Sequence, residues 1–401
     1  MAIVLIQAPS VNTLALSRSP IIITLQEQNG VIINDRTYRY VVRIRFRLEG
    51  AIATVPALPS SIELLAFPNI DLYGVFDVSE FLNDQFLPDR PNIATGTETK
   101  VGVMGVSVEY GFYLDGTYTK EGDVDTFFVT PGYSAVQSNI NTYENRTAIN
   151  DAEAFLAPQS TVIVSNLSDG SAIHVFRAAA ATRTYVLIRD DQSNSVEVDV
   201  SATITNVEDV IFRIPTGKDE LSTLTGGIIE PLNECSFLLS VDDGTNITAY
   251  ERIMAFYQDA DFCDIESDVV SYINRYGVWD YLSMRGRASE QISQSRTTFD
   301  RRVAVNANPS GILSIPKGVS EKGTVAVIGG KSITLNTGFV KNEQNKQVQD
   351  LLLSRQHYSF VENQNVLIKT SGVAIRKESD ERLVNYELEF ELTGNLIQKI
   401  K

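Results

Sequence analysis

The chain is poor in the residues that carry redox, metal and imidazole chemistry: two cysteines, two histidines and one tryptophan in 401 residues. Two cysteines, Cys235 and Cys263, are too few for a disulfide scaffold, and both are expected to be free thiols. The two histidines, His174 and His357, leave little with which to activate a nucleophile or ligate a soft metal. Neither has a Gly-x-Ser-x-Gly elbow to serve, because the sequence contains none. No apolar run reaches the roughly 20 residues that a membrane-spanning helix needs, so membrane insertion is not expected. Met1–Gln7 is apolar but lacks a basic leader region, and reads as a strand or docking arm rather than an export signal. Positive charge is also scarce: 34 Lys and Arg face 50 Asp and Glu, for a net charge of −16. A surface so acidic is a poor general binder of nucleic acid.

What the chain does have is strand pattern. At this length two or three domains are expected. Residues 1–156 read as an N-terminal β-sandwich-like domain with a short helix near 77–87, where Val78, Phe81, Leu82 and Phe86 fall at helical spacing and Pro88 ends it. Residues 157–290 read as a second sandwich-like domain, with turn residues recurring roughly every 8–12 residues, as at Asp190-Asp191 and Asp242-Asp243-Gly244. Residues 291–401 read as an α+β part with one packed helix near 341–354, its apolar face formed by Val348, Leu351 and Leu352. The fold class is mainly β: two sandwich-like domains and then this α+β part. The Asn-rich stretch 138–145 reads as a loop or linker.

Two strands carry opposite charge stripes. In Tyr38–Leu48 the even positions are apolar or aromatic, and Arg39, Arg43, Arg45 and Arg47 lie among the odd ones. In Val384–Leu392 the even positions are again apolar, and Glu387, Glu389 and Glu391 occupy the other face. A period of two puts one face of each strand on a core and the charged face away from it. These seven residues are the candidate interface. The expectation is that the two stripes meet between domains or between neighbouring copies; the simpler alternative is that both face water, where salt screens them.

Other motifs point to no chemistry. Gly329-Gly330-Lys331-Ser332 lacks the glycine that a phosphate loop places five residues before the one preceding lysine; that position is Val325. A hairpin turn is expected there instead. Asp123 and Asp125, and the later Asp259, Asp261 and Asp264, do not follow the spacing of a calcium loop and read as exposed acidic loops. No catalytic residue, cofactor or metal site is expected. The 16 tyrosines and 18 phenylalanines fall mostly on alternating apolar faces, as packing.

The segment Tyr272–Gly286, with Asn274, Gly277 and Asp280 spaced as Asn-x-x-Gly-x-x-Asp, resembles a strand–turn–strand element of tail structural proteins from phages infecting Bacteroidota, including crAss-like phages. Leu335–Phe339, Leu351–Ser354 and Asn385–Phe390 are similar to the C-terminal part of those proteins, and Ser19–Ile21 with Phe76–Leu82 to their N-terminal domain. The resemblance implies a non-enzymatic virion structural protein made in the host cytoplasm. It further implies a homo-oligomeric ring or collar of the tail that binds other virion structural proteins and no specific nucleic acid. Two other readings remain open: a receptor- or glycan-binding tail-tip module, which would show an exposed aromatic patch or a pocket near a distal loop, and a polysaccharide-processing enzyme, which would show two carboxylates about 5–10 Å apart in a cleft.

Overall fold

The computed structural model describes residues 3–10, 13–28, 37–48, 61–86, 102–133, 154–157, 161–165, 171–176, 183–200, 206–242, 244–258, 268–284, 289–300, 306–307, 313–314, 322–341, 345–355, 357–361, 364–370, 383–392 and 396–399. The fold is mainly β. The N-terminal unit holds β1 (Ile3–Gln7), β2 (Leu14–Leu16), β3 (Ile22–Glu27), β4 (Arg39–Arg47), β5 (Ser61–Ala66), β6 (Tyr73–Asp77), α1 (Ser79–Asp84), β7 (Met104–Leu114) and β8 (Thr117–Thr130). A three-stranded sheet, β1-β3-β6, faces a five-stranded one, β2-β8-β7-β4-β5. One core lies between them, joining Ile23, Leu25 and Phe76 of the first to Tyr40, Val42, Ile44 and Phe127 of the second. The β7–β8 hairpin turns at Asp115 and Gly116, both left-handed (φ 51° and 79°), as a two-residue Asp-Gly turn requires.

The middle unit repeats this plan. It comprises β9 (Ala154–Phe155), β10 (Thr161–Ser165), β11 (Ala172–Phe176), β12 (Arg183–Asp190), β13 (Ser195–Asp199), β14 (Ile211–Pro215), α2 (Lys218–Leu224), β15 (Glu234–Asp242) and β16 (Ile247–Gln258), with a 3₁₀ turn at Val207–Val210. Sheet β10-β16-β15-β12-β13 packs on β14-β11-β9 around Val186, Phe237, Leu239, Ile173 and Ile214.

The C-terminal unit contains β17 (Asp268–Ile273), β18 (Trp279–Met284), β19 (Ser289–Asp300), β20 (Asn306–Ala307), β21 (Leu313–Ser314), β22 (Lys322–Lys341), α3 (Asn345–Leu353), β23 (His357–Val361), β24 (Gln364–Thr370), β25 (Leu383–Leu392) and β26 (Leu396–Lys399). Its main sheet runs β18-β17-β23-β24-β25-β22-β19, with β26 also on β22. The helix α3 lays Val348 and Leu351 on that sheet, against Tyr272, Leu335 and Phe390.

Four expectations are corrected here. The hairpin β17–β18 falls within 157–290 but pairs with β23 of the C-terminal sheet. Both of its faces are buried: Val270, Tyr272, Leu282 and Met284 in the C-terminal core, and Val269, Ile273, Trp279 and Tyr281 in a second cluster on the other side. Gly329–Ser332 makes no turn; it lies inside β22, with Gly329 paired to Gln294 on one side and to Leu396 on the other. Backbone pairing along both edges holds Gly329 in the strand, and Gly330 pairs with Ser293 of β19. Asp123 and Asp125 lie in β8 rather than a loop, and Asp123 pairs with Lys120 at 2.8 Å. Finally, α1 begins at Ser79 and ends at Asp84, shorter than 77–87, because the Asp77 carboxylate accepts from the Ser79 and Ile21 amides at 3.0 and 3.1 Å and ties residue 77 to β3. Cys263, the cluster Asp259, Asp261 and Asp264, and the stretch 138–145 lie outside the described residues.

Candidate functional site: a three-way junction and two charged faces

The turn between β17 and β18 joins all three units. Asn274 builds it: the side-chain Oδ1 accepts from the Tyr276 amide at 2.9 Å and the Val278 amide at 3.4 Å, and its carbonyl accepts from the Gly277 amide at 2.9 Å. Gly277 takes the left-handed conformation (φ 82°), whereas Asn274 is not among the left-handed residues. With its oxygen used inside the turn, the Asn274 amide is free to donate to the Leu156 carbonyl of the middle unit at 3.0 Å. The N-terminal unit grips the same turn. Thr130 Oγ1 donates to the Tyr276 carbonyl at 2.7 Å, and the Tyr133 amide to the Arg275 carbonyl at 2.6 Å. An apolar cluster of Leu14, Phe128, Leu156, Phe176, Tyr276 and Val278 seals the place where the three units meet.

Beneath the turn lies a buried ion pair. The Arg275 guanidinium reaches Asp350 of α3 with Nη2 at 2.9 Å and Nε at 3.1 Å, and its own backbone amide donates to the same carboxylate at 3.2 Å. The Tyr133 hydroxyl donates to Asp350 at 2.9 Å. Asp350 is fully buried, so its charge is tolerable only because these donors surround it. Arg18 closes the edge. Its guanidinium sits over the Tyr133 ring at 5.0 Å and donates to the Leu353 carbonyl at 3.0 Å, which satisfies an end carbonyl of α3. The helix is thus docked through polar as well as apolar side chains. Gln347 donates to the Tyr281 carbonyl at 2.8 Å, and Asn345 accepts from the Tyr386 hydroxyl at 2.6 Å.

The two striped strands keep their expected alternation. Tyr38, Tyr40, Val42 and Ile44 are in the core, and Arg39, Arg43, Arg45 and Arg47 are half-buried on the other face. That face carries its own counter-charges. Arg43 stands in register between Glu63 of β5 and Glu109 of β7, with ion pairs of 2.7 and 3.4 Å. Arg45 reaches Glu109 at 2.8 Å, and Lys120 reaches it at 3.5 Å. Arg43 also lies over the Tyr118 ring at 3.7 Å, and Arg39 over Phe67 at 4.4 Å. Burial alone would raise the pKa of Glu109, but the Tyr118 hydroxyl, Lys120, Arg45 and Arg43 outweigh it and hold the carboxyl below its usual range. Glu63 and Glu109 were not singled out from the sequence; the only signal was their place on the outward face of strands whose pairing order the sequence does not print. On β25, Tyr386, Leu388 and Phe390 are buried and Glu387, Glu389 and Glu391 exposed. They stand in register with Asn336, Thr334 and Ser332 of β22. The two stripes therefore lie on sheets of different units, and the partners resolved for Arg43 and Arg45 are Glu63 and Glu109.

The histidines are strand residues in apolar surroundings. Burial, with the nearby Arg213 charge, pushes the His174 pKa down to about 3. Burial likewise lowers that of His357, whose Nε2 bonds the Leu351 carbonyl. Both rings are neutral at ordinary pH. Among the described residues no three His, Cys, Asp or Glu side chains are grouped to hold a metal ion, and no helix is long and apolar enough to cross a membrane.

No family model and no curated protein matches the chain. Among solved structures it is similar to the FN1–FN3 domains of chicken CNTN1, at 9% identity over 64% of this chain and 66% of that one, with a TM-score of 0.18. A tetra-tandem repeat from the extending region of a large adhesion protein overlaps at 10% identity over 98% and 90%, with a TM-score of 0.19. Dimeric latent PorU from Porphyromonas gingivalis overlaps at 11% over 84% and 32%, with a TM-score of 0.17. At these scores the likeness carries no argument about function, and the fold stands on the chain's own sheets.

Proposed function

We propose that this chain is a non-enzymatic structural protein of a virion, a subunit of a homo-oligomeric ring or collar in a phage tail that binds other virion proteins. The observation that carries the reading is the Asn274–Val278 turn, which bonds three β units to one another through buried groups. Such a joint fixes the relative orientation of the units, as a building block needs. This segment is one of several, spread over most of the chain, on which the phage-tail resemblance rests. In the assembly, the exposed face of Glu387, Glu389 and Glu391 is offered to a neighbouring protein, where complementary charge sets register and partner choice.

Mass photometry and negative-stain imaging of the purified full chain test this. The expected result is a discrete species of cyclic symmetry that weakens when Glu387 and Glu389 are both changed to Lys. A monomer at every concentration up to tens of micromolar would count against the ring. Glycan binding by that monomer would favour the tail-tip module instead.

A further inference from the structure

The N-terminal unit holds one aliphatic side chain out into solvent. Ile70 is 95% exposed, more than any other large apolar residue described. The turn that carries it, between β5 and β6, is tightly built. Asn69 Oδ1 accepts from the Asp71 amide at 3.0 Å and the Tyr73 amide at 2.8 Å. The Asn69 carbonyl accepts from the Leu72 amide at 3.0 Å, and the Tyr40 hydroxyl, rising from the core, donates to the Leu72 carbonyl. Leu72 is left-handed (φ 65°), a conformation that a branched side chain keeps only where its surroundings impose it. Leu65 and Phe67 are exposed just before the turn, and the Arg39 guanidinium lies over the Phe67 ring at 4.4 Å. Arg43 and Arg45 have carboxylate partners. Among the described residues Arg39 has none, and its Nε is buried without a hydrogen-bond partner.

A second apolar surface, of opposite charge, stands on the middle unit. From the end of α2 to the start of β15 the chain exposes Leu224, Ile228 and Leu232. This segment is pinned as well. Ile229 is fully buried, and its amide donates to Thr225 Oγ1 at 3.2 Å. The Leu232 amide donates to Asp191 at 3.0 Å, and the Leu232 carbonyl accepts from Lys218 at 3.1 Å. The exposed charges here are Asp191, Asp219, Glu230 and Glu234, while Lys218 is drawn over the Tyr257 ring at 5.4 Å.

We propose, resting on the ring reading above, that these two surfaces form the contact between copies: the Ile70 turn of one copy seats on the Leu224–Leu232 segment of a second copy, with Arg39 meeting that segment's carboxylates. Exposed apolar clusters held in a fixed shape mark contact surfaces, and both are exposed within one chain, so neither covers the other. Charge decides the pairing. Turn against turn would set Arg39 on Arg39, and segment against segment would set carboxylates on carboxylates, whereas turn against segment brings opposite signs together. The contact is therefore head-to-tail. Each copy offers its turn to one neighbour and its segment to the other, and such a contact closes into a ring when the rotation between copies allows it. The Asn274 junction holds the units in one orientation, so every copy repeats the same rotation.

Sedimentation velocity of the full chain over a concentration series tests this with Ile70→Asp and Ile228→Asp. Both replace exposed side chains and should leave the urea midpoint at its wild-type value. Each should raise the concentration needed for assembly by about tenfold or more, as loss of a central anchor does. The decisive sample is a mixture of the two. Ile70→Asp keeps its segment and Ile228→Asp keeps its turn, so together they complete one contact and stop at a one-to-one dimer. A ring that forms in either variant at wild-type concentrations overturns this contact and leaves the ring reading standing, as does a mixture that stays monomeric. A wild-type chain that is monomeric up to tens of micromolar overturns both. Should either variant unfold early, Arg39→Glu replaces it: assembly as in wild type at low salt refutes the contact, and weakened assembly supports it.

Discussion

Gly132 and Gly277 cross at van der Waals closeness. A Cβ added to Gly277 would come within 2.8 Å of the Gly132 amide, and one added to Gly132 within 2.2 Å of the Arg275 carbonyl. Neither contact can give way, because both are to backbone. Gly277→Ala meets a left-handed φ as well as the clash, and should lose about 2–4 kcal/mol. Gly116→Ala is the control: it has a similar φ of 79° with nothing within 4 Å, and should lose about 1 kcal/mol. Urea unfolding of both variants separates backbone strain from packing. Equal losses would mean that the crossing is not tight in solution.

Asp350→Asn leaves the buried Arg275 guanidinium without its counter-charge and should cost about 3–5 kcal/mol. The double variant Arg275→Met with Asp350→Leu removes both charges and should recover part of that loss. Denaturant midpoints of the three proteins provide the comparison. A double variant no better than the single one would mean that the pair itself, and not the orphaned charge, carries the stability.

Glu109→Gln takes the shared carboxylate from Arg43, Arg45 and Lys120, and should cost about 1–3 kcal/mol at neutral pH. The folded pKa of Glu109 is depressed below the ordinary glutamate value of about 4.5. Its contribution is therefore present above that value and is lost as pH falls through the depressed one. Wild type and variant should converge in acid. A gap that persists well below the depressed value would assign the loss to packing instead.

Cys235 is buried, and burial with the Asp190 charge pushes its thiol up to about 12. Iodoacetamide at mildly alkaline pH should leave it unmodified in the native chain and alkylate it on unfolding, as mass spectrometry would report. Rapid labelling of the native protein would place the thiol at a surface.

The striped strands were legible because period two survives in any neighbourhood: Tyr40, Val42 and Ile44 point inward whatever strand lies beside them. Their partners were not legible, because Glu63 and Glu109 become neighbours of Arg43 only through strand order. The β17–β18 hairpin was grouped with the wrong unit for a related reason. Buried on both faces, Val269 to Ile273 give no inward–outward alternation to say which sheet they join. The turn itself was legible in the Asn-x-x-Gly-x-x-Asp spacing, whose Gly277 takes the left-handed conformation. The junction around it was not, since its bonds span 75, 118, 146 and 217 residues of sequence, and no local pattern encodes a contact of that range.

The middle unit enters the chain after Tyr133 and leaves it before Asp268, yet the segments on either side of it are bonded to each other. This has a consequence in time. The hydroxyl of Tyr133 waits for Asp350, 217 residues later, which at ribosomal speed is roughly ten to forty seconds. During that interval the N-terminal sandwich has its core but lacks the partner for its last residues. A nascent chain meets its own C-terminal helix only after the whole second sandwich has emerged, so synthesis order places the closing of the junction after both sandwiches.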